Sequence, residues 1–355
     1  MISYSLSRPY TRSLYQAIRA DIENGTYPEG SRLPSKRQFA LDLNLSLSTV
    51  ENALSLLEEE GYIECLERKG AFVLPGNLRS GSRSDFIFHP LEEDLAIQDP
   101  EFPASLWFKT LRLVMSRDRE MLCQMSPAPG SARLRNSIAR YLHQQRGMNV
   151  QPEQIVIASG SRQLYEILAR LFQGDFHVAI ESPSFAPIEA IYARSGAQIE
   201  KLPMDEEGIS VQALKESQAS FLHVSPFSSY PSQVITSPTR RKLYLEWIAR
   251  RPGYLIEDDY NSEFFQNGPM LQTLYALDRQ EKVIYLNTFS KSISPSVRLG
   301  YMVLPFSLLE TYEKTARAMA CTVTMLEQYT LAEFMENGSF ERLIARRRRH
   351  QSAAG

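Results

Sequence analysis

The sequence predicts two folded parts, an N-terminal winged helix-turn-helix and a larger α/β domain with a mostly parallel, doubly wound sheet. The first prediction depends on three helical patterns followed by two short β-rich runs around a basic turn, all within about 75 residues. The second depends on short β-rich runs that alternate with helical stretches over most of the remaining chain. A stretch rich in proline, glycine and serine lies between them and predicts a linker.

The composition is typical of a soluble globular protein. The chain has 355 residues, of which 23% are charged and 43% hydrophobic, and this balance argues against a largely disordered chain. No apolar run approaches the roughly 20 residues that a membrane helix needs, and the N-terminus lacks the apolar core of a signal peptide. Three widely spaced cysteines, Cys65, Cys123 and Cys321, fit a reducing compartment. We therefore expect a cytoplasmic protein with no membrane partner, and the net charge of −2 leaves room for a local basic patch.

The N-terminal part begins with two predicted helices. Leu14, Ile18 and Ile22 recur at helical spacing, and a turn that contains glycine and proline ends this first helix. Ser35 has the form of an N-cap, with Gln38 three residues later as its capping-box partner. A second, short helix is therefore predicted after Ser35.

A third helix and a hairpin complete this part. Either Ser46 or Ser48 can serve as the N-cap of the third helix. Two β-rich runs within residues 62–75 then flank a basic turn at residues 68–70, and this arrangement predicts a β-hairpin. The predicted winged helix-turn-helix covers residues 1–75.

The remaining chain divides into a predicted linker, residues 76–103, and a predicted α/β domain, residues 104–355. Two apolar-rich stretches predict helices at 164–172 and 240–251. Five β-rich runs predict strands at 176–180, 221–225, 253–258, 282–288 and 299–305. In open α/β sheets, ligands bind outside the carboxyl ends of the strands, so the polar motifs that follow these runs are candidate site residues.

The N-terminal part resembles the GntR-type winged helix of bacterial regulators over about residues 8–75. The resemblance is carried by spaced elements in the right order, namely Leu14-Tyr15, Gly25, Pro28, Gly30, Leu33 to Arg37, Ser46 to Val50, Glu60-Gly61 and Lys69 to Val73. It implies that the third helix enters the major groove of operator DNA by its N-terminal end.

Five residues of this part are candidate DNA contacts. Ser46, Ser48 and Thr49 offer hydroxyl groups at the N-terminus of the third helix, where backbone amides also face phosphate. Arg37 and Lys69 would bind the DNA backbone and position the module without reading sequence.

Two features weaken this assignment and keep an alternative open. The acidic residues lie mostly at 51–67 and the basic residues mostly at 8–37, so any basic footprint is one-sided. The family usually has arginine where this chain has Leu47, which removes one expected contact. A winged helix kept for protein contacts is the alternative.

Three polar motifs stand at the ends of predicted strands or at the start of a predicted helix. Residues 258–260, Asp-Asp-Tyr, end one strand, and because strand side chains alternate, Asp258 and Tyr260 share a face. Residues 288–291, Thr-Phe-Ser-Lys, end the next strand along the chain. Residues 159–162, Ser-Gly-Ser-Arg, begin the helix at 164–172, and small residues at a helix N-terminus let backbone amides bind a phosphate.

Together these motifs resemble those of fold-type I pyridoxal 5′-phosphate (PLP) enzymes, the aminotransferase superfamily, over about residues 100–345. The run at 287–305 matches the lysine loop of that superfamily closely. The resemblance implies that Lys291 is the Schiff-base lysine, which can also move a proton. It further implies that Asp258 keeps the pyridine nitrogen protonated and that the Tyr260 hydroxyl lies near the ring phenolate oxygen.

Seven further residues complete the predicted cofactor site, and the resemblance assigns them to the phosphate, to a nearby anionic substrate group or to the ring: Gly160, Ser161, Arg162, Phe185, Thr288, Ser290 and Arg298. Phe185 would stack on the pyridine ring, and its alternative is a plain core aromatic residue. No residue is assigned to a metal.

A GntR winged helix joined to an aminotransferase-like domain is the architecture of the MocR (GabR-like) transcription regulators. The order and spacing of the motifs resemble this family over nearly the whole chain. The resemblance implies a homodimer that binds PLP, senses PLP or a small amine or amino-acid effector, and controls genes through operator DNA.

The chain also departs from the family pattern. Residues 125–130 replace a Tyr-Gly-Asp-Pro stretch whose tyrosine contacts the phosphate of the partner subunit, and Ser228 stands where the family has a histidine near the cofactor. The sequence ends at Gly355, so we expect the small C-terminal lobe, with its arginine for the ligand carboxylate, to be missing. The arginine run at 346–349 is interpreted as a solvated helix face.

Two alternative functions remain open. One is a working PLP-dependent aminotransferase, in which Lys291 moves the proton between the two imine forms. The other is a regulator whose PLP site has decayed into a protein-interaction domain. The N-terminal module favours a regulator, because free-standing aminotransferases have no use for a winged helix.

Overall fold

The computed structural model describes residues 4–66, 69–75, 101–174, 176–264, 271–316 and 320–354. The chain divides into two compact units, residues 1–94 and residues 95–355. The predicted linker lies outside the described residues, apart from its last three positions.

The first unit has three helices followed by a hairpin, as predicted: α1 (Tyr10–Glu23), α2 (Lys36–Leu43), α3 (Leu47–Glu59), β1 (Ile63–Leu66) and β2 (Gly70–Val73). Ser35 caps α2, since its side chain accepts a hydrogen bond from the Gln38 backbone N–H at 3.1 Å. The Gln38 side chain turns instead to the next turn of its helix, so only half of the predicted capping box forms. Ser46, and not Ser48, caps α3 by accepting from the Thr49 N–H at 3.1 Å.

One apolar core holds the first unit together. The two strands pair antiparallel, with Ile63 opposite Val73. Residues of all three helices and the hairpin bury their side chains against one another, chiefly Leu14, Ile18, Phe39, Leu54, Leu57, Ile63 and Val73. This burial of apolar surface is the main force that fixes the three helices and the wing as one body.

The second unit alternates helices and strands. Its helices are α4 (Ala104–Arg117), α5 (Arg119–Leu122), α6 (Ala132–Arg146), α7 (Ser161–Leu171), α8 (Ala186–Arg194), α9 (Val211–Glu216), α10 (Pro238–Ala249), α11 (Leu274–Leu277), α12 (Phe289–Ser292), α13 (Leu309–Ala316), α14 (Met325–Glu336) and α15 (Ser339–Ala354). Its strands are β3 (Ile155–Ala158), β4 (His177–Ser182), β5 (Gln198–Asp205), β6 (Gly208–Ile209), β7 (Phe221–Val224), β8 (Leu255–Asp259), β9 (Val283–Thr288) and β10 (Gly300–Val303). Three short 3-10 helices cover Pro152–Gln154, Ser262–Phe264 and Phe306–Leu308.

The described residues of this unit form one eight-stranded sheet in the order β3-β10-β9-β8-β7-β4-β5-β6. The central pairs, from β9 through β8, β7 and β4 to β5, are parallel. β10 runs antiparallel to both of its neighbours, β3 and β9, and β6 is antiparallel to β5. The mostly parallel sheet expected from the sequence is therefore present, with an antiparallel strand inserted beside β9.

Helices cover both faces of the sheet. On one face, α7 and α8 pack on the alternate strand residues that include Val178, Ile256, Ile284 and Leu286. On the other face, α6, α14 and α15 cover one half of the sheet and α10 the other half. Strand β8 shows the division, because Leu255 belongs to one core and the adjacent Ile256 to the other.

The sequence interpretation was incomplete at three strands and wrong at the arginine run. Strands β3, β5 and β6 were not among the predicted runs. Arg347, in the run interpreted as a solvated face, is only 7% exposed. Its guanidinium donates hydrogen bonds to the backbone carbonyl oxygens of Lys291, in α12, and Ile293, just after it, and these bonds compensate for its burial. Arg346 and Arg349 are exposed.

Candidate functional site

A cavity of about 210 Å³ opens at the carboxyl ends of the parallel strands β7, β8 and β9, beside the N-terminus of α7. Its wall is formed by Ser161, Tyr165, Phe185, Ser225, Tyr230, Asp258, Tyr260 and Thr288. Five of these residues were predicted from the sequence. Because the parallel strands end at one edge of the sheet, residues from distant parts of the chain lie together there, as the sequence predicted.

Asp258 is a buried carboxylate on the cavity side of β8. It is 5% exposed, and its Oδ2 accepts a hydrogen bond from the Tyr165 hydroxyl. The Nε2 of His223, on the neighbouring strand β7, lies 3.6 Å from the same oxygen. His223 is itself held by a 2.9 Å contact between its Nδ1 and the Tyr192 hydroxyl. The carboxylate thus lines the cavity, and the Tyr165 hydroxyl and the His223 ring lie against it within the protein.

Lys291 lies at the mouth of this site, in the short helix α12 that directly follows β9. Its Nζ is 5.5 Å from the centre of the Tyr260 ring. Protein surrounds the side chain in part, and this desolvation lowers the pKa of Lys291, against the attraction of Glu263. The Tyr260 hydroxyl donates to the Ser228 hydroxyl oxygen at 3.3 Å, so the residue that replaces the family histidine still contacts Tyr260.

The N-terminus of α7 and Arg298 form a cradle for an anion. Gly160, the N-cap of α7, has a φ of +82°, and a Cβ at this position would lie 2.9 Å from Nη2 of Arg298. Glycine adopts this positive φ without strain and leaves room for the guanidinium beside the backbone. Ser161 and Thr288 line the adjacent wall. Backbone amides at a helix start and a guanidinium are the donors that phosphate prefers.

Of three further predicted residues, one lines the cavity and two do not. Phe185 lines the cavity and makes an edge-to-face contact with Tyr230, with ring centres 5.8 Å apart. Arg162 is exposed to solvent, and Ser290 is half-buried. Neither belongs to the cavity wall as the described residues define it, and the same holds for Gly160, Lys291 and Arg298, which lie outside that wall.

Tyr165, His223 and Glu181 are site residues that the sequence interpretation missed. Tyr165 follows Ser161 by one helical turn, so the spacing places both on one face of α7. His223 precedes Ser225 by two residues, which on a strand means the same face. These two signals were available in the sequence.

Glu181, the second-last residue of strand β4, holds the loop after β7. Its carboxylate accepts the Ser225 N–H at 3.2 Å and the Ser229 hydroxyl at 2.6 Å. Burial raises the pKa of Glu181 to about 7, although both hydrogen bonds oppose this shift. The loop segment with Ser225 and Tyr230 is thereby fixed against the cavity.

The structure places the candidate DNA contacts of the first unit at the surface. Arg37, Ser46, Ser48 and Lys69 are exposed, and Thr49 is half-buried. The three hydroxyl groups of α3 contact one another, with Ser46 Oγ 2.7 Å from Thr49 Oγ1 and 3.0 Å from Ser48 Oγ. Leu47, where the family usually has arginine, is 45% exposed at the start of α3.

The donor set of the cavity fits PLP. A buried carboxylate suits a protonated ring nitrogen, and a hydroxyl from Tyr260 suits the ring oxygen. The cradle formed by Gly160 and Arg298 suits the phosphate, and Lys291 suits the aldehyde. Each of the four chemical features of the cofactor therefore has a matching group around one cavity.

Comparisons with known proteins identify the family of each unit. Residues 94–354 match the family described as aminotransferase class I and II, and residues 10–73 match bacterial regulatory proteins of the gntR family. The α-aminoadipate aminotransferase LysN of Thermus thermophilus, solved with N-(5′-phosphopyridoxyl)-L-leucine, superposes with a TM-score of 0.63 at 27% identity. That likeness covers 70% of this chain and 64% of the LysN chain, slightly less than two thirds of its length.

Curated relatives extend over both units. YdeL of Bacillus subtilis, an uncharacterized HTH-type transcriptional regulator, is 32% identical over 98% of this chain and 78% of that protein. PdxR of Corynebacterium glutamicum, an HTH-type pyridoxine biosynthesis transcriptional regulator, is 29% identical over 95% of this chain and 75% of that protein.

The fold and the site define a transcription regulator in which a winged helix precedes a PLP-type aminotransferase domain. The chain belongs to the family of HTH-type regulators that join a GntR module to an aminotransferase class I and II domain. MocR of Rhizobium meliloti is also similar to this chain. The family predicted from the sequence is confirmed. No helix among the described residues is both long and apolar enough to cross a membrane.

Proposed function

We propose that this regulator is a cytoplasmic homodimer that binds PLP in the cavity of its second unit, senses a small amine or amino acid there, and binds operator DNA through its first unit. The observation that carries the proposal is the convergence of Asp258, Tyr260 and the anion cradle on one cavity, with Lys291 beside it. The GntR module supports the regulatory role.

Each group in the cavity has a task that its surroundings support. PLP, when bound, supplies an aldehyde that condenses with primary amines. Asp258 stabilises a proton on the ring nitrogen, and the Tyr165 hydroxyl keeps this carboxylate oriented. The lowered pKa of Lys291 leaves more of its amine neutral, and only the neutral amine is a nucleophile. An effector amine would compete with Lys291 for the same aldehyde, and this competition is how we expect the site to sense it.

The visible absorption of the purified full chain with PLP tests the cofactor assignment. We expect a visible band that borohydride removes, with the cofactor then attached to the peptide that contains Lys291. Lys291→Ala should lack the band, while Lys314→Ala, which changes an exposed ion pair on α13, should keep it. Retention of the band in Lys291→Ala would mean that another lysine holds the cofactor. A colourless wild type would favour the decayed site.

DNA binding tests the first unit. Substituting Arg37 or Lys69 with alanine should weaken binding to all duplexes alike and reduce the salt slope by about 0.9. Ser48→Ala should instead change which sequences are selected from a random duplex pool, because base contacts specify sequence. Lys242→Ala, an exposed site on the second unit, is the control. Equal losses from all three variants would argue against the docking of α3 in the major groove.

Catalysis is a second candidate, favoured by the presence of Lys291 beside Asp258 and Tyr260, the groups that transamination uses. It is tested by incubating the PLP-loaded chain with single amino acids. A regulator should show a spectral change that stops at one equivalent and alters DNA binding. Release of keto acid over many turnovers would establish the aminotransferase instead.

A further inference from the structure

The arginine run of α15 lies against the loop that carries Lys291. The Nη1 of Arg347 donates a hydrogen bond to the carbonyl oxygen of Lys291 at 2.8 Å, and its Nη2 donates to that of Ile293, also at 2.8 Å. Only 7% of the Arg347 surface is exposed. One buried side chain thus joins α15 to two carbonyl groups on either side of Ser292.

These carbonyl groups need an external donor. Helix α12 has only four residues, and the last carbonyl groups of a helix have no partner within it. A buried carbonyl without a hydrogen bond is unfavourable. The planar guanidinium fixes two acceptors at once, which a single ammonium group does not do with the same geometry.

The neighbouring arginine makes a similar contact. The Nε of Arg348 donates to the carbonyl oxygen of Glu263, in the turn that follows β8. On the apolar side of α15, Phe340 packs edge-to-face on Phe289, with ring centres 5.6 Å apart. Helix α15 therefore holds the connections that leave two adjacent strands, one with Asp258 at its end and the other with Lys291 just beyond it.

We propose that Arg347 is a positioning residue for Lys291, which fixes the backbone of the lysine loop and through it the place of the Lys291 amine at the mouth of the cavity. A displacement of α15 is then transmitted to Lys291 through these two hydrogen bonds. The inference deepens the proposed function and rests on it for the role of Lys291.

A purely structural role for Arg347 makes a different prediction. It would lower the stability of Arg347→Ala and leave the chemistry of Lys291 unchanged in the molecules that fold. A positioning role requires the environment of the amine to change in the folded protein. The ionisation of the Lys291 amine is therefore the quantity to measure.

The experiment uses the full chain without PLP and cyanate, which carbamylates neutral amines. Mass spectrometry follows the carbamylation of each lysine across a pH series, with exposed Lys314 as an internal reference. In the wild type, we expect the midpoint of Lys291 to lie below the ordinary lysine value. In Arg347→Ala, loss of the two hydrogen bonds lets the lysine backbone shift, so the partial desolvation that lowers the pKa of Lys291 should weaken and its midpoint should rise toward the ordinary value. A rise of half a pH unit slows carbamylation at pH 8 by about threefold.

Two further variants make the result decisive. Arg349→Ala changes an exposed residue of the same helix and should leave the Lys291 midpoint at the wild-type value. Arg347→Lys keeps a buried cation and should shift the midpoint in the same direction as alanine, but less. A wild-type midpoint in folded Arg347→Ala overturns the proposal, even if the variant melts earlier. If the alanine variant does not fold, a wild-type midpoint in Arg347→Lys overturns it equally. A wild type without a PLP band would refute the proposed function and leave this comparison intact.

Discussion

The two carboxylates at the end of strand β8 are neighbours in the chain but face opposite sides of the sheet. Asp259 is completely buried, and it accepts hydrogen bonds from Arg146 at 3.1 Å, from the Tyr285 hydroxyl at 2.8 Å and from the Ser262 N–H at 2.9 Å. Asp258 accepts from the Tyr165 hydroxyl and otherwise lines the cavity.

The difference distinguishes an acid whose hydrogen bonds all lie within the fold from one that we propose acts on the cofactor. A buried charge is stable when it is paired and hydrogen-bonded, and Asp259 meets that condition within the folded chain. Asp258 keeps part of its bonding capacity directed at the cavity, where a protonated ring nitrogen can use it. Two adjacent aspartates therefore have different roles because the strand turns them to different surroundings.

Asp259→Ala should have the largest effect on stability. It leaves Arg146, which is 8% exposed, without its hydrogen-bonded carboxylate. Removing one partner of a buried pair typically costs about 3–5 kcal/mol, and denaturant unfolding of the full chain measures this loss. Glu310→Ala, which breaks an exposed pair with Lys314, should leave the transition unchanged. A loss below about 1 kcal/mol for Asp259→Ala would mean that the network does not depend on its anion.

Glu181 is a third buried carboxylate, and its hydrogen-bond partners are the neutral Ser225 N–H and Ser229 hydroxyl. Its pKa is raised to about 7, so its protonated form is favoured by folding. The stability it contributes is complete below about pH 4.5 and is lost as the pH rises through about 7, by about 2–4 kcal/mol in total.

Glu181→Gln imitates the protonated acid and remains neutral at every pH. Its free energy of unfolding should therefore fall less than that of the wild type between pH 4.5 and 7, when both are followed by urea unfolding. Glu257, whose pKa burial also raises to about 7, keeps some pH dependence in the variant. Parallel pH profiles for the wild type and Glu181→Gln would contradict the assignment.

Asp258→Asn should affect the cofactor more than the fold. Tyr165 can still donate to the amide oxygen, so the free energy of unfolding should change by about 1 kcal/mol or less. Loss of the charge opposite the ring nitrogen removes an interaction of roughly 1.5–3 kcal/mol, which corresponds to about 10- to 150-fold weaker PLP binding. Absorbance titration with PLP measures this change. An unchanged PLP affinity beside a large loss of stability would reverse the roles of the two aspartates.

The parts of the fold that could be predicted have strong local patterns. Strands β4, β7, β9 and β10 contain apolar runs because helices cover both faces of the sheet, and β8 begins with two apolar residues before its acidic end. Strand β5 was missed because it is polar, partly exposed and contains Pro203. Strand β3 is as long as β7 and β10 and is fully apolar, so its signal was available in the sequence and was overlooked.

The site was predictable to the extent that its residues follow strand ends. Alternation along β8 places Asp258 and Tyr260 together, and both line the cavity. Tyr165 was interpreted as part of an apolar helix, since a buried tyrosine and a core leucine give the same periodic pattern. Arg347 could not be found because its partners are backbone carbonyl oxygens 56 and 54 residues away, and a carbonyl group leaves no mark in the sequence.

Tyr165→Phe should have the smallest effect on PLP binding, and it tests most directly why Asp258 differs from Asp259. The substitution removes the hydroxyl that donates to Asp258 and keeps the ring, which packs edge-to-face against Tyr192 and His223. The cavity lets the freed carboxylate reach other donors, so the loss of stability should stay near the low end for a hydrogen bond to a charged group, about 1.5 kcal/mol. Urea unfolding measures it, and Tyr244→Phe, which loses a buried hydroxyl that accepts from the Ile209 N–H outside the cavity wall, is the matched control. Because Asp258 then turns more freely, PLP binding should weaken in Tyr165→Phe by a few-fold and stay unchanged in Tyr244→Phe. Identical PLP affinities in the two variants would mean that Asp258 is held by the strand alone, and that its difference from Asp259 lies in the cavity and not in the hydrogen bonds behind it.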